Sequence, residues 1–244
     1  MRLSGITFRP SRRRKRRGLT PVLDGMDSKV VNREFKKAIW PSLREAGFDT
    51  FTSRIAWRHN EGSIDVVEFQ SLGSYNAEIM GLTSFSFAVR FGKFLSYLPP
   101  QWPPKIKDGT QLPSEAESQF RRSLQCSLAS TSTDKTFWPV AKDGRNLAWC
   151  IRDVAAQLPD TLAWFSQLDD RKEVLRILRD QDERMSELWG FGRNPSPVRS
   201  YLLGYAALAQ GDHTLAELKL QEAVDSKCFV SLFSSVDGAI HSAV

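Results

Sequence analysis

Arg54, Gln70 and Arg90 have the residue types and placement that could do chemistry, because each lies on one of three successive stretches with strand-like alternation. Two guanidinium forks on neighbouring strands, with an amide beside them, would grip a carboxylate or phosphate bidentately while the amide orients it. Arg121 and Arg122 form a second candidate clamp for an anion. The third group is the block Arg12, Arg13, Arg14, Lys15, Arg16 and Arg17. Its charge density suits nucleic-acid phosphates, or a nuclear address in a eukaryotic source. Each group has a plainer counterpart. These are Arg54 paired with Glu68 on a half-solvated sheet, a solvated helix face at 121–122, and a solvated tail at 12–17 with no interleaved aromatics for base stacking.

Acid–base, nucleophilic and metal chemistry find no constellation. His59, His213 and His241 stand apart from one another and from any Cys or carboxylate at metal-ligand spacing. No glycine-rich phosphate loop follows a strand, and no nucleophile elbow occurs. Asp169-Asp170 reads as a helix cap. Cys126, Cys150 and Cys228 are odd in number and far apart, which suits buried free thiols in a reducing interior rather than a disulfide or zinc framework. No catalytic residue, metal or cofactor is expected from these patterns.

The charge is unevenly distributed. The 244 residues carry a formal +6, yet residues 1–25 alone hold eight basic residues and one acid, a net +7, leaving −1 for the rest. Residues 1–25 have no helical or strand period and read as a disordered basic tail, with Met26 as an alternative start. No apolar run reaches the ~18–20 residues of a membrane helix, and no apolar stretch follows the basic start as in a signal peptide. A cytoplasmic location with no membrane association is the expectation.

The elements that must position the candidate residues follow from periodicity. Val31, Phe35, Ala38, Ile39, Leu43 and Ala46 share one face of a helix, capped by Asp27 or Ser28, kinked at Pro41 and stopped by Gly47. The period then changes to two. Phe51, Ile55 and Trp57 are expected on one face of a first strand, with Arg54 opposite; His59-Asn60-Glu61-Gly62 reads as a hairpin loop. Val67 and Phe69 face away from Glu68 and Gln70 on a second strand, and Phe85, Phe87, Val89 and Phe91 alternate with Ser86 and Arg90 on a third. This predicts an α+β fold, an antiparallel sheet of three or four strands backed by helices, over residues 26–188.

A Pro-rich connection spans residues 95–118, with Trp102 expected to pack on the body. Pro113-Ser114-Glu115 predicts a helix to about Ser127, and Phe137-Trp138 an edge strand or a docked segment. Leu147, Ile151, Val154 and Leu158 predict a helix bounded by Pro159; a further helix capped at Asp169 or Asp170 extends towards Met185 and Leu188. Residues 189–244 form a helical extension in which Leu203-Gly204, Ala216, Leu220 and Ala223 match the spacing of a single tetratricopeptide hairpin.

The run Phe35…Trp40-Pro41-Ser42-Leu43…Gly47-Phe48, then Arg54, then Val66-Val67-Glu68-Phe69-Gln70, resembles the domain of unknown function 4304 family, and the likeness continues through Phe120–Leu124, Trp138 and the helices from Leu147 to about Leu178. It implies the fold and no known activity. The functional expectation is a non-enzymatic interaction module with a protein partner at the polar sheet face or the Pro-rich loop. The alternatives are nucleic-acid association through residues 12–17, and an enzyme or binder of an anionic small molecule at Arg54, Gln70 and Arg90.

Overall fold

The computed structural model describes residues 26–127, 135–180 and 196–242. The chain enters through α1 (Ser28–Ala38), whose first turn is capped by Asp27 Oδ1 accepting from the N–H of Lys29 at 2.8 Å and Val30 at 2.9 Å. The expected kink becomes a break at Ile39. A proline at position 41 cannot donate to the carbonyl of Lys37, so a new helix, α2 (Trp40–Glu45), starts with Pro41 in its first turn. Gly47 then adopts φ +89°, and the N–H groups of Gly47 and Phe48 return to the carbonyls of Arg44 and Leu43 at 2.9 and 3.0 Å, a Schellman stop.

The main sheet is antiparallel. β1 (Thr50–Phe51), β2 (Ile55–Asn60), β3 (Ser63–Ser71) and β4 (Phe87–Leu95) lie side by side, with α3 (Ser74–Ile79) inside the connection between β3 and β4. A small hairpin of β5 (Lys105–Lys107) and β6 (Thr110–Leu112) stands apart; β7 (Phe120–Ser123) and β8 (Phe137–Trp138) then pair in line along the free edge of β4. The expected α+β architecture is present, and the short β1, β7 and β8 extend it to six strands.

Two expectations are corrected. Thr52 accepts from the N–H of Arg54 and Ile55 through its hydroxyl, closing a tight turn that splits the anticipated first strand into β1 and β2. Phe51 therefore pairs with Ala56 on the helix side, while Ile55 and Trp57 are on the opposite face. At residues 114–127 the predicted helix is a single 3₁₀ turn, Glu115–Glu117, followed by β7. Phe120 and Leu124, four apart, fit either period, and the unpaired edge of β4 favours the strand.

The core lies between the sheet and the helices. Phe35 sits 4.1 Å from Phe69 and 4.9 Å from Phe87, Trp40 packs edge-on to Phe69, and Trp138 stacks on Phe87 at 5.8 Å. Each such side chain contributes roughly 1.5–3 kcal/mol through burial. α4 (Leu147–Gln167) runs on through Pro159, which is exposed, while Leu158, Trp164 and Phe165 keep the buried stripe in register. α5 (Arg171–Asp180) is capped by Asp170 rather than Asp169, through the N–H of Lys172 at 2.8 Å. Met185, Leu188 and the break at 190–195 lie outside the described residues.

The C-terminal hairpin forms as predicted, from α6 (Pro197–Leu208) and α7 (His213–Asp225), with α8 (Val236–His241) after it. A Cβ at Gly204 would sit 2.7 Å from Leu220 Cγ, so these helices cross at van der Waals distance. Tyr201 and Tyr205 are buried; Tyr201 stacks on Phe229 at 4.6 Å, and Tyr205 Oη donates to the Ala239 carbonyl at 3.0 Å. The hairpin thus joins the sheet's hydrophobic core rather than standing outside it.

Candidate functional site

Register places the predicted anion-binding residues on different sides of the sheet. Arg54 sits in the turn before β2, donates from Nη1 to the Phe69 carbonyl at 3.4 Å and lies 5.9 Å from the Phe35 ring centroid. It is half-buried among apolar neighbours, which lowers its pKa by desolvation. Arg90 pairs in register with Glu68 on the other face. Arg54 and Arg90 therefore do not converge on one ligand, correcting the expected clamp. Gln70 donates to Glu68 Oε1 at 3.3 Å. Residues 12–17 lie outside the described residues.

The face that carries Arg90 is covered rather than open. The 3₁₀ turn lies directly over Gly92, where a Cβ would run into the Ser118 hydroxyl and come within 3.3 Å of Glu115 Cα. Glu115 is 1% exposed, and its N–H donates to Glu68 Oε2 at 3.3 Å while Arg90 Nη1 stands 4.0 Å from its carboxylate. Burial pushes the Glu115 pKa up, Arg121 and Arg90 pull it down, and Glu68 adds to the rise. Arg121 is thus on a strand beside this carboxylate, not on a helix. Beyond it Trp57, Ile64, Val66 and Phe94 form a second small core, closed by Trp57 Nε1 donating to the Pro113 carbonyl at 2.7 Å.

A second ionic group escaped sequence reading. Asp65 and Lys93 face the helices, fully buried, where the alternation of Val67 and Phe91 continues one step further along β3 and β4. Asp65 Oδ2 accepts from Arg58 Nε at 2.7 Å and Asn60 Nδ2 at 3.0 Å, and Lys93 Nζ lies 2.7 Å from Asp65 Oδ1. Lys93 also pairs with Asp169, whose side chain is 48% exposed. Two charges of opposite sign at core-facing positions were the available signal. Their pairing needed the cross-strand register, which composition does not supply. With every charge matched, Arg58, Asp65, Lys93 and Asp169 join the hairpin end of the sheet to the junction of α4 and α5.

The exposed feature is elsewhere. Trp102 is 67% exposed, contrary to the expectation that it packs on the body. It stands on a stiff segment between Pro99-Pro100 and Pro103-Pro104, anchored by buried Leu98 and by Tyr201 Oη donating to the Pro99 carbonyl at 2.6 Å. Its indole forms one lip of a groove of about 330 Å³ whose other walls are Val198, Phe229 and Leu232. A smaller hollow on its other side is lined by Glu117, Arg121 and Leu202. Leu232 is 41% exposed, and Cys228, the exposed thiol, also lines the groove. Cys126 and Cys150 are buried as expected, while Cys228 is not.

Among the described residues no group of His, Cys, Asp or Glu could hold a metal ion, and no helix is long and apolar enough to cross a membrane. Comparison of the chain with models of protein families, with curated proteins and with solved structures finds no match in any of the three.

Proposed function

We propose that the chain is a non-enzymatic binding module that holds a protein partner in the groove between its Pro-rich connection and its C-terminal helices. The observation that carries this reading is Trp102, a large aromatic held out to solvent on an anchored, proline-stiffened segment beside an apolar groove. Exposed aromatics on preorganised backbone are the anchors from which interfaces draw most of their energy, because little entropy remains to be lost on docking. Covering the exposed part of an indole contributes roughly 2–4 kcal/mol. The three free thiols support a reducing compartment such as the cytoplasm.

The resemblance to the domain of unknown function 4304 family belongs to the same proposal. Phe35, Trp40, Leu43, Phe48, Phe69, Phe120 and Trp138, the apolar residues among those that carry it, are core residues and support the fold reading, and the family brings no known activity. The test is capture of partners from an extract of the source cells by the intact chain and by Trp102→Ala. Protein retained by the intact chain and absent with Trp102→Ala, at unchanged melting temperature, supports the proposal. Retention indifferent to Trp102→Ala removes the groove from it.

A further inference from the structure

We infer, on the reading that the Trp102 groove is a binding site, that its occupant is an acidic peptide segment. Its bulky apolar side chains enter between Trp102 and Phe229, and its carboxylates lie beside Lys105 and Lys227. The groove is built from residues 99–105, 196–202 and 226–232, which supply Gln101 and Trp102, Pro197 and Val198, and Phe229 and Leu232 to its walls. These three segments contain no Asp or Glu, and their basic residues are Lys105, Arg199 and Lys227. Arg199 is buried, so the exposed Lys105 and Lys227 set the charge of the rim. Lys227 directly precedes Cys228 in the groove lining, and Lys105 follows Trp102 by three residues. Neither lysine makes an ion pair among the described residues.

The neighbouring acids are engaged or set apart. Glu117, at the smaller hollow beyond the indole, accepts from the N–H of Ser114 at 2.6 Å and from its hydroxyl at 2.9 Å. Asp225 accepts from Gln221 Nε2 at 2.7 Å, and Asp108 lies in the turn of the β5–β6 hairpin, beyond Lys107. An apolar slot with a cationic rim selects an apolar anchor flanked by carboxylates, the anchor supplying affinity and the rim orientation and on-rate. A volume of about 330 Å³ admits a few side chains rather than a folded domain. Nucleic acid fits less well, because two ammonium groups neutralise few phosphates. A lipid surface would take the indole as a protruding wedge, whereas Phe229 opposite it is only 4% exposed and makes the apolar surface a recess.

The test is selection of random peptides displayed on phage against the full chain, then fluorescence anisotropy of the best binder as a labelled synthetic peptide. Sequences that join a bulky apolar residue to Asp or Glu are expected, with binding lost on Trp102→Ala. The double variant Lys105→Glu/Lys227→Glu should weaken that peptide about three- to tenfold. At an unchanged melting temperature it should also bind the same peptide with its acids replaced by Lys more tightly than the native chain does. Trp102-dependent peptides without acids, or an affinity that the lysine replacements leave unchanged, overturn the acidic occupant and leave the groove as a binding site. Failure to select any peptide that depends on Trp102, or Trp102-dependent binding to anionic vesicles alone, overturns both.

Discussion

Replacing Asp65 by Asn tests the buried ionic group most sharply. Asp65 is fully buried and holds two cations, Arg58 at 2.7 Å and Lys93 at 2.7 Å, besides the amide of Asn60. The amide keeps the shape and removes the charge, so the buried Lys93 is left with Asp169 alone and Arg58 with the Ala46 carbonyl at 2.8 Å. Leaving buried charge uncompensated costs about 3–5 kcal/mol. For a chain of this size that lowers the melting temperature by on the order of 10 °C. Lys93→Met is milder, roughly 1–2 kcal/mol, because Asp65 keeps Arg58 and Asn60, Asp169 reaches water, and Met fills the space of the lysine stem. The double variant Asp65→Asn/Lys93→Met is then less damaged than the two singles summed, by about 1–3 kcal/mol. Urea unfolding followed by circular dichroism on the four proteins gives the cycle. Equal single costs with strict additivity would refute the coupled network.

Glu115 supplies a pH signature. Burial raises its pKa in the folded chain, so the folded state favours the protonated acid, and that contribution is present at low pH and lost as pH rises through the folded pKa. Glu115→Gln, which cannot ionise, should gain stability relative to the native chain as pH rises above the ordinary glutamate pKa of about 4.3, seen as a growing difference in melting temperature; a difference that shrinks as pH rises contradicts it. Gly92→Ala should cost roughly 1–3 kcal/mol by driving the 3₁₀ turn off β4, whereas Gly73→Ala, which meets nothing within 4 Å, should be nearly neutral by the same unfolding assay. Thiol titration of the native chain should find one fast group, Cys228, and three after denaturation. Burial pushes the Cys150 thiol up to about 12, so thiolate is scarce there, and three fast groups in the native chain would show that the core is not closed.

The parts of the fold legible in the sequence were those fixed by local chemistry. Asp27 and Gly47 bound a helix whose apolar face repeats regularly, and β3 and β4 alternate clearly because one face meets the helices. Where a local signal served two outcomes, distant residues decided. The Thr52 turn inverted the parity of Arg54 and Trp57, which no count of alternating residues registers. Ser114 and Glu117 form a capping box at the predicted helix start, yet the free edge of β4 claimed the residues after it for a strand. Pro159 did not end its helix, because the stripe on either side of it was worth more buried than the missing bond. Trp102 was read by its hydrophobicity, which favours burial, while the prolines around it hold it clear of the body. The candidate site moved accordingly, from the polar sheet face to the groove beside Trp102.

Attaching a photoreactive group to Cys228 tests the binding-module account most directly, because that thiol lines the groove and is exposed. Irradiation in an extract of the source cells should join the chain to a partner protein from Cys228, and the product should vanish with Trp102→Ala. The same group placed on α1 in Lys37→Cys/Cys228→Ser should give no such product. Equal capture from both positions, or capture from Cys228 that Trp102→Ala does not change, would contradict a binding site in this groove.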